Sequence, residues 1–177
     1  MKLQRQKRKV ITKQLPTPMS ITCGNENPSA LGCQFYELEG GEVGTVFVPR
    51  NLHEGHNGIM HGGMSAAVLD ELMGRATLHT EFDGGGDWLP TYVTAEMTVK
   101  YRRPIVVGNT MYGYGIVERS EGSCCFSSSV VTDESGEIMA EASGVYVHVE
   151  LPEDEKSGFK EIDSTRAALT SDDPKEL

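Results

Sequence analysis

The spacing of apolar residues changes period along this chain, and the change separates a helical part from a sheet-forming part. Gly55 to Glu81 contains no proline, is rich in Ala, Leu and Met, and has at its centre His61-Gly62-Gly63-Met64-Ser65-Ala66-Ala67-Val68-Leu69-Asp70-Glu71 after a glycine-rich loop. That composition predicts a long helix starting near His61. At about 100° per residue, Asp70 shares a side with Gly63, Ala66, Ala67, Met73, Gly74 and Thr77, while Leu69, Leu72, Ala76 and Ser65 form another. Glu71 and Arg75, spaced i,i+4, are the pair suited to water. A helix apolar on nearly every side is one that other elements wrap. Asp70 is then a carboxylate that needs a partner or a task, reading either as hydrogen-bonded at a polar seam or as a functional group.

Two strand-like runs precede the helix, Cys33 to Glu39 and Val43 to Val48, joined at Gly40-Gly41 as a hairpin. After it, Phe82 to Pro90 holds Gly84-Gly85-Gly86 and the single tryptophan, Trp88, and is expected to be a mobile loop. From Val93 the period becomes two: Val93, Ala95, Met97, Val99 and Tyr101 fall on one face, and Thr94, Glu96, Thr98, Lys100 and Arg102 on the other. That is a half-buried strand. Three more runs, 110–120, 123–133 and 137–150, are separated by short turns, which implies an antiparallel meander. The expected fold class is α+β, one sheet curling around one helix.

At 177 residues the chain fits one domain with a sizeable core. Residues 1–22 read as an arm, 23–150 as the domain and 151–177 as an acidic, disordered tail. The net charge of −10 argues against nucleic acid as a partner. No apolar run approaches the roughly 20 residues that span a bilayer. The first thirteen residues carry six Lys or Arg and no acid, but lack the apolar core of a secretory signal. Cys23, Cys33, Cys124 and Cys125 show no CxxC spacing and read as reduced thiols of a cytoplasmic protein. His53, Glu54, His56 and His61 invite a metal reading, but His53-Glu54-Gly55-His56 is one residue short of the HExxH helix and lies in a glycine-rich loop, so no metal is expected.

The order of elements and several motifs resemble the hotdog-fold acyl-CoA thioesterases, particularly the PaaI-like group. The motifs are Gly55-x-x-Gly58-x-x-His61-Gly62-Gly63 followed by Leu69-Asp70-Glu71 and Gly74, supported by Cys23-Gly-x-x-Asn-Pro28, by the run from Thr94 to Pro104 and by Gly136 to Ala142. The resemblance covers roughly residues 20–150. It implies one long helix wrapped by an antiparallel sheet, in homodimers or dimers of dimers whose sheets become continuous and whose active sites lie at the interface. Many members carry an Asn six residues before the motif His, where this chain has Gly55; Asn57 is two residues out of register.

The implied reaction is hydrolysis of an acyl-CoA or related thioester, without a cofactor. A thiolate leaves readily, so one carboxylate and an oxyanion hole can suffice. By resemblance Asp70 is that carboxylate, as general base or as nucleophile, and the Gly62 N–H at the helix start is the oxyanion donor. His61 orients the loop or caps the helix. Gly63, Asn57 and Thr77 fall on the substrate side, although such a Thr also bonds its own backbone. Lys100, Arg102 and Arg103 could meet the coenzyme A phosphates, or simply end a solvated strand. Tyr112, Tyr114 and Tyr146 read as sheet packing. The alternatives are a non-catalytic acyl-thioester binder on the same fold and a hotdog hydroxyacyl dehydratase, whose His-Phe-Pro loop is absent here.

Overall fold

The computed structural model describes residues 7–79, 91–149 and 166–177. Its strands are β1 (Val10–Gln14), β2 (Gln34–Leu38), β3 (Val43–Phe47), β4 (Glu54–His56), β5 (Ile59–Met60), β6 (Thr91–Tyr101), β7 (Met111–Glu121), β8 (Cys124–Thr132), β9 (Ile138–Val149) and β10 (Arg166–Ala167). Helix α1 (Gly62–Ala76) follows the small β4–β5 hairpin and ends in a 3-10 turn, Thr77–His79. Eight strands form one antiparallel sheet in the order β10-β1-β2-β3-β7-β8-β9-β6. The expected meander is therefore present, with β6 returning beside β9 at the sheet edge. The glycine-rich loop at 82–90 lies outside the described residues.

Alternation on the strands sends β-branched and aromatic side chains toward the helix, and α1 supplies the opposing surface. Val68, Leu69, Leu72 and Met73 are fully buried against a cluster including Phe35, Val43, Phe47, Met111, Cys125 and Val131. Each buried Leu or Val contributes roughly 1.5–3 kcal/mol of transfer free energy. The helix lies unusually close to β7, because a Cβ at Gly115 would stand 2.5 Å from the Leu72 carbonyl oxygen. A second, smaller cluster of Val10, Tyr36, Leu38, Tyr114, Val130 and Leu177 gathers residues from both chain ends.

Three expectations need correction. Glu71 and Arg75 do form their ion pair, at 2.8 Å, but the Arg75 side chain is only 10% exposed. Its guanidinium lies 4.5 Å over the Phe35 ring and donates to Gln14 Oε1, the Leu15 carbonyl and Cys23 Sγ. The N-terminal segment covers what the helix wheel leaves to solvent, so the arm is a working part of the domain. The tail is likewise docked where it is described. Leu177 and Arg8 exchange backbone hydrogen bonds, β10 pairs with β1, and Asp173 accepts from Lys13 at 3.0 Å and from Tyr36 at 2.9 Å.

The third correction concerns β6. Thr94 pairs with Tyr146 and Glu96 with Val145, so Ala95 is an extra residue that bulges the strand. A bulge flips the alternation. Beyond it Met97 and Val99 pack on the core as expected, but before it Tyr92 and Thr94, rather than Val93, face the helix side; Val93 is exposed.

Candidate active site

The side of α1 with small residues leaves Asp70 half-buried beside β6 and β9. Its Oδ1 accepts from the Tyr146 hydroxyl at 2.6 Å and from the Thr94 hydroxyl at 2.8 Å. The same phenol donates to the Asp70 carbonyl at 2.9 Å. Thr94 and Tyr146 are direct cross-strand partners, so two adjacent strands present two neutral donors to one oxygen. Burial, and then the hydrogen bond to Asp70, hold the Tyr146 phenol well above its ordinary range, so it remains a proton donor. The polar-seam and functional readings of Asp70 both fit this geometry, because neutral donors fix the carboxylate without cancelling its charge. Sequence reasoning missed both partners: the bulge hid Thr94, and Tyr146 reads as packing.

At the other end of α1, His61 is the N-cap, and its Nδ1 accepts the Gly63 amide at 2.9 Å. Accepting there requires an unprotonated Nδ1. His61 also takes the Met64 and Ser65 amides on its carbonyl. Gly62 occupies the N1 position, whose amide an α-helix leaves without an internal partner. The Tyr101 hydroxyl donates to the Gly62 carbonyl at 3.0 Å. An open cleft of about 290 Å³ runs over this point, lined by Gly62, Ser65, Tyr101, Arg102, Arg103 and Ile105 among others.

The departure at Gly55 has a local cause. A Cβ there would lie 2.9 Å from the His61 ring and 3.0 Å from its Cα, so His61 packs where a side chain would begin. Asn57 sits exposed in the β4–β5 turn. Thr77 is buried and donates to the Gly74 carbonyl at 2.6 Å, which commits its hydroxyl to the helix end. Arg102 and Arg103 reach the cleft while pairing with Glu141 and Glu137; Lys100 is exposed on β6. His53 is buried, with Nδ1 accepting the Arg50 amide and Nε2 facing the Ser29 carbonyl, so both ring nitrogens are engaged.

A sequence profile described as the thioesterase superfamily matches residues 57–140, a span holding Gly62, Asp70, Thr94 and the cleft arginines. The chain has the hotdog fold and, over these residues, is similar to the thioesterase superfamily. It is 28% identical over 116 residues to the acyl-coenzyme A thioesterase THEM4 of Xenopus laevis, covering 65% of this chain and 49% of that protein. The chain thus spans about half the length of that curated relative. Among solved structures, the E. coli PaaI protein from the phenylacetic acid degradation operon superposes with a TM-score of 0.59 at 15% identity, over 68% of this chain and 82% of PaaI. A Streptococcus mutans protein bound to acetyl CoA superposes with a TM-score of 0.57 at 19% identity, over 66% of this chain and 88% of that one. At these identities the two structures establish the hotdog fold alone.

Proposed function

We propose that this chain hydrolyses acyl-CoA thioesters to a free acid and a thiol. The observation that carries the reading is the Asp70 carboxylate, held by neutral hydroxyls on the small-residue side of a helix whose N-terminus opens into a cleft. As general base, Asp70 takes a proton from water while the water oxygen bonds to the acyl carbon; the tetrahedral oxyanion then collapses and the carbon–sulfur bond breaks, and the departing thiolate is protonated. As nucleophile, its oxygen bonds to the acyl carbon, the carbon–sulfur bond breaks as the thiolate leaves and takes up a proton, and water then opens the resulting anhydride to free acid and the regenerated carboxylate. The Gly62 N–H stabilises the oxyanion, helped by the helix N-terminus, and one such donor is worth about 3 kcal/mol of barrier. His61 holds the Gly62-Gly63 turn through its cap.

Gly62 and Asp70 are eight residues apart, about 12 Å along a helix axis at 1.5 Å per residue. A single reacting carbonyl needs both groups within about 3 Å of the reacting atoms. The reading therefore includes a homodimer, alone or as a dimer of dimers, in which Gly62 of one protomer meets Asp70 of another. The edge position of β6, with Val93 and Tyr101 exposed, supports it as the pairing strand. Arg102, Arg103 and Lys100 then meet the phosphates of the coenzyme, and Gly63 and Asn57 lie on the substrate side. The four free thiols suit a reducing, cytoplasmic setting.

The test is thiol release from short, long and aryl acyl-CoAs by wild type and by Asp70→Asn, with the molar mass of each in solution. Turnover by a dimer or tetramer, lost in the variant, is the expected result. Binding without turnover by wild type on every substrate would replace the enzyme with an acyl-thioester binder.

A further inference from the structure

We propose that Tyr146 is a positioning residue for Asp70: with Thr94 it occupies Oδ1, so that Oδ2 is the oxygen that meets water or the thioester. This inference rests on the reading of Asp70 as the reacting carboxylate. A carboxylate oxygen offers about two lone-pair sites, and Oδ1 already accepts from Tyr146 at 2.6 Å and Thr94 at 2.8 Å. Oδ2 is then the oxygen with open capacity. The single phenolic proton is shared between Oδ1 at 2.6 Å and the Asp70 carbonyl at 2.9 Å, so one hydroxyl ties the side chain to its own backbone.

The ring that carries this hydroxyl has a prepared seat. A Cβ at Gly74 on the helix would lie 3.4 Å from one edge of the Tyr146 ring, and a Cβ at Gly144 on β9 would lie 3.3 Å from the other. Two glycines therefore flank a fully buried tyrosine whose hydroxyl reaches the one half-buried carboxylate on that side of α1. Glu71 of α1 acts on the phenol from the same helix. From the packed strands, Cys125 of β8 is the register partner of Tyr146. His148 of β9 is paired with Tyr92 of β6 and makes an edge-on ring contact with it at 5.6 Å, and β7 meets the helix with Gly113 and Gly115.

The experiment measures kcat and KM separately for wild type, Tyr146→Phe, Asp70→Asn and a protein carrying 3-fluorotyrosine at position 146. Tyr146→Phe keeps the ring and removes only the donor. We expect kcat to fall about tenfold with KM little changed, since a carboxylate without its anchor spends less time aimed at the reacting carbonyl. Fluorotyrosine, which keeps ring and donor, should restore the rate. A Tyr146→Phe protein with wild-type kcat, beside an inactive Asp70→Asn, would overturn the proposal while leaving the thioesterase reading intact. Full activity in Asp70→Asn would overturn both.

Discussion

Asp70 and Glu71 are consecutive on α1, yet one is held by two hydroxyls at the open side of the helix and the other is locked to a guanidinium beneath the N-terminal strand. Glu71 accepts from Arg75 at 2.8 Å and from Thr22 at 3.1 Å, and Arg75 in turn touches Gln14, Leu15, Cys23 and Phe35. A guanidinium compensates the charge it binds and makes the pair structural. Hydroxyl donors orient a carboxylate without neutralising it, leaving it able to take a proton or attack. The adjacent positions differ by about 100° around the helix, and that rotation leaves one carboxylate held by neutral donors and ties the other into the fold.

The sharpest way to break this contrast is to neutralise each acid in turn. Asp70→Asn should lose about a hundred- to ten-thousand-fold in turnover while unfolding at nearly the wild-type temperature; Glu71→Gln should retain turnover and melt earlier. Equal loss of activity in the two, measured as thiol release per folded molecule, would erase the distinction. Next in size, Arg75→Leu leaves Glu71 without its cation and should cost roughly 2 kcal/mol or more of stability in urea unfolding. The surviving folded fraction should keep its specific activity.

A smaller effect is expected at Gly55→Ala, where the new methyl meets His61. Displacing that residue weakens the helix cap, at a cost of about 1 kcal/mol, read as a lower urea midpoint together with a reduced kcat. The smallest belongs to the docked C-terminal segment. The Thr170 amide, followed by Lys13, Tyr36 and the Thr170 hydroxyl, holds the Asp173 carboxyl below the ordinary carboxylate range. Its contribution is present above the unfolded value, about 3.9, and is lost as pH falls below it. Wild type should therefore lose more stability between pH 5 and pH 3 than Asp173→Asn, in urea midpoints compared across those pH values.

Much of this architecture is legible in the sequence. The change from a helical to an alternating period locates α1 and the four long strands, and Asp70 stands out because a carboxylate on an apolar helix is anomalous. What escapes are contacts made at a distance. Arg75 reads as a surface residue because its cover, Gln14 and Leu15, lies about sixty residues away in the chain. The anchoring of Asp173 and Leu177 is hidden in an acidic composition that otherwise signals disorder. Thr94 escapes for a local reason: strict alternation assigns it to the outer face, and only the extra residue at Ala95 turns it inward. Tyr146 is one of six tyrosines, and nothing nearby in sequence distinguishes its hydroxyl from those of Tyr112 and Tyr114.

Gly115 carries one further implication. Because the Leu72 carbonyl rests directly on it, that glycine sets the height at which α1 rides above the sheet, and α1 bears Gly62 at one end and Asp70 two turns along. The helix behaves as a rigid beam, so any side chain added beneath it lifts both groups together. In the proposed assembly, with the amide of one beam opposite the carboxylate of another, the clearance between copies would be calibrated from beneath the helix, at a position that need never touch the thioester.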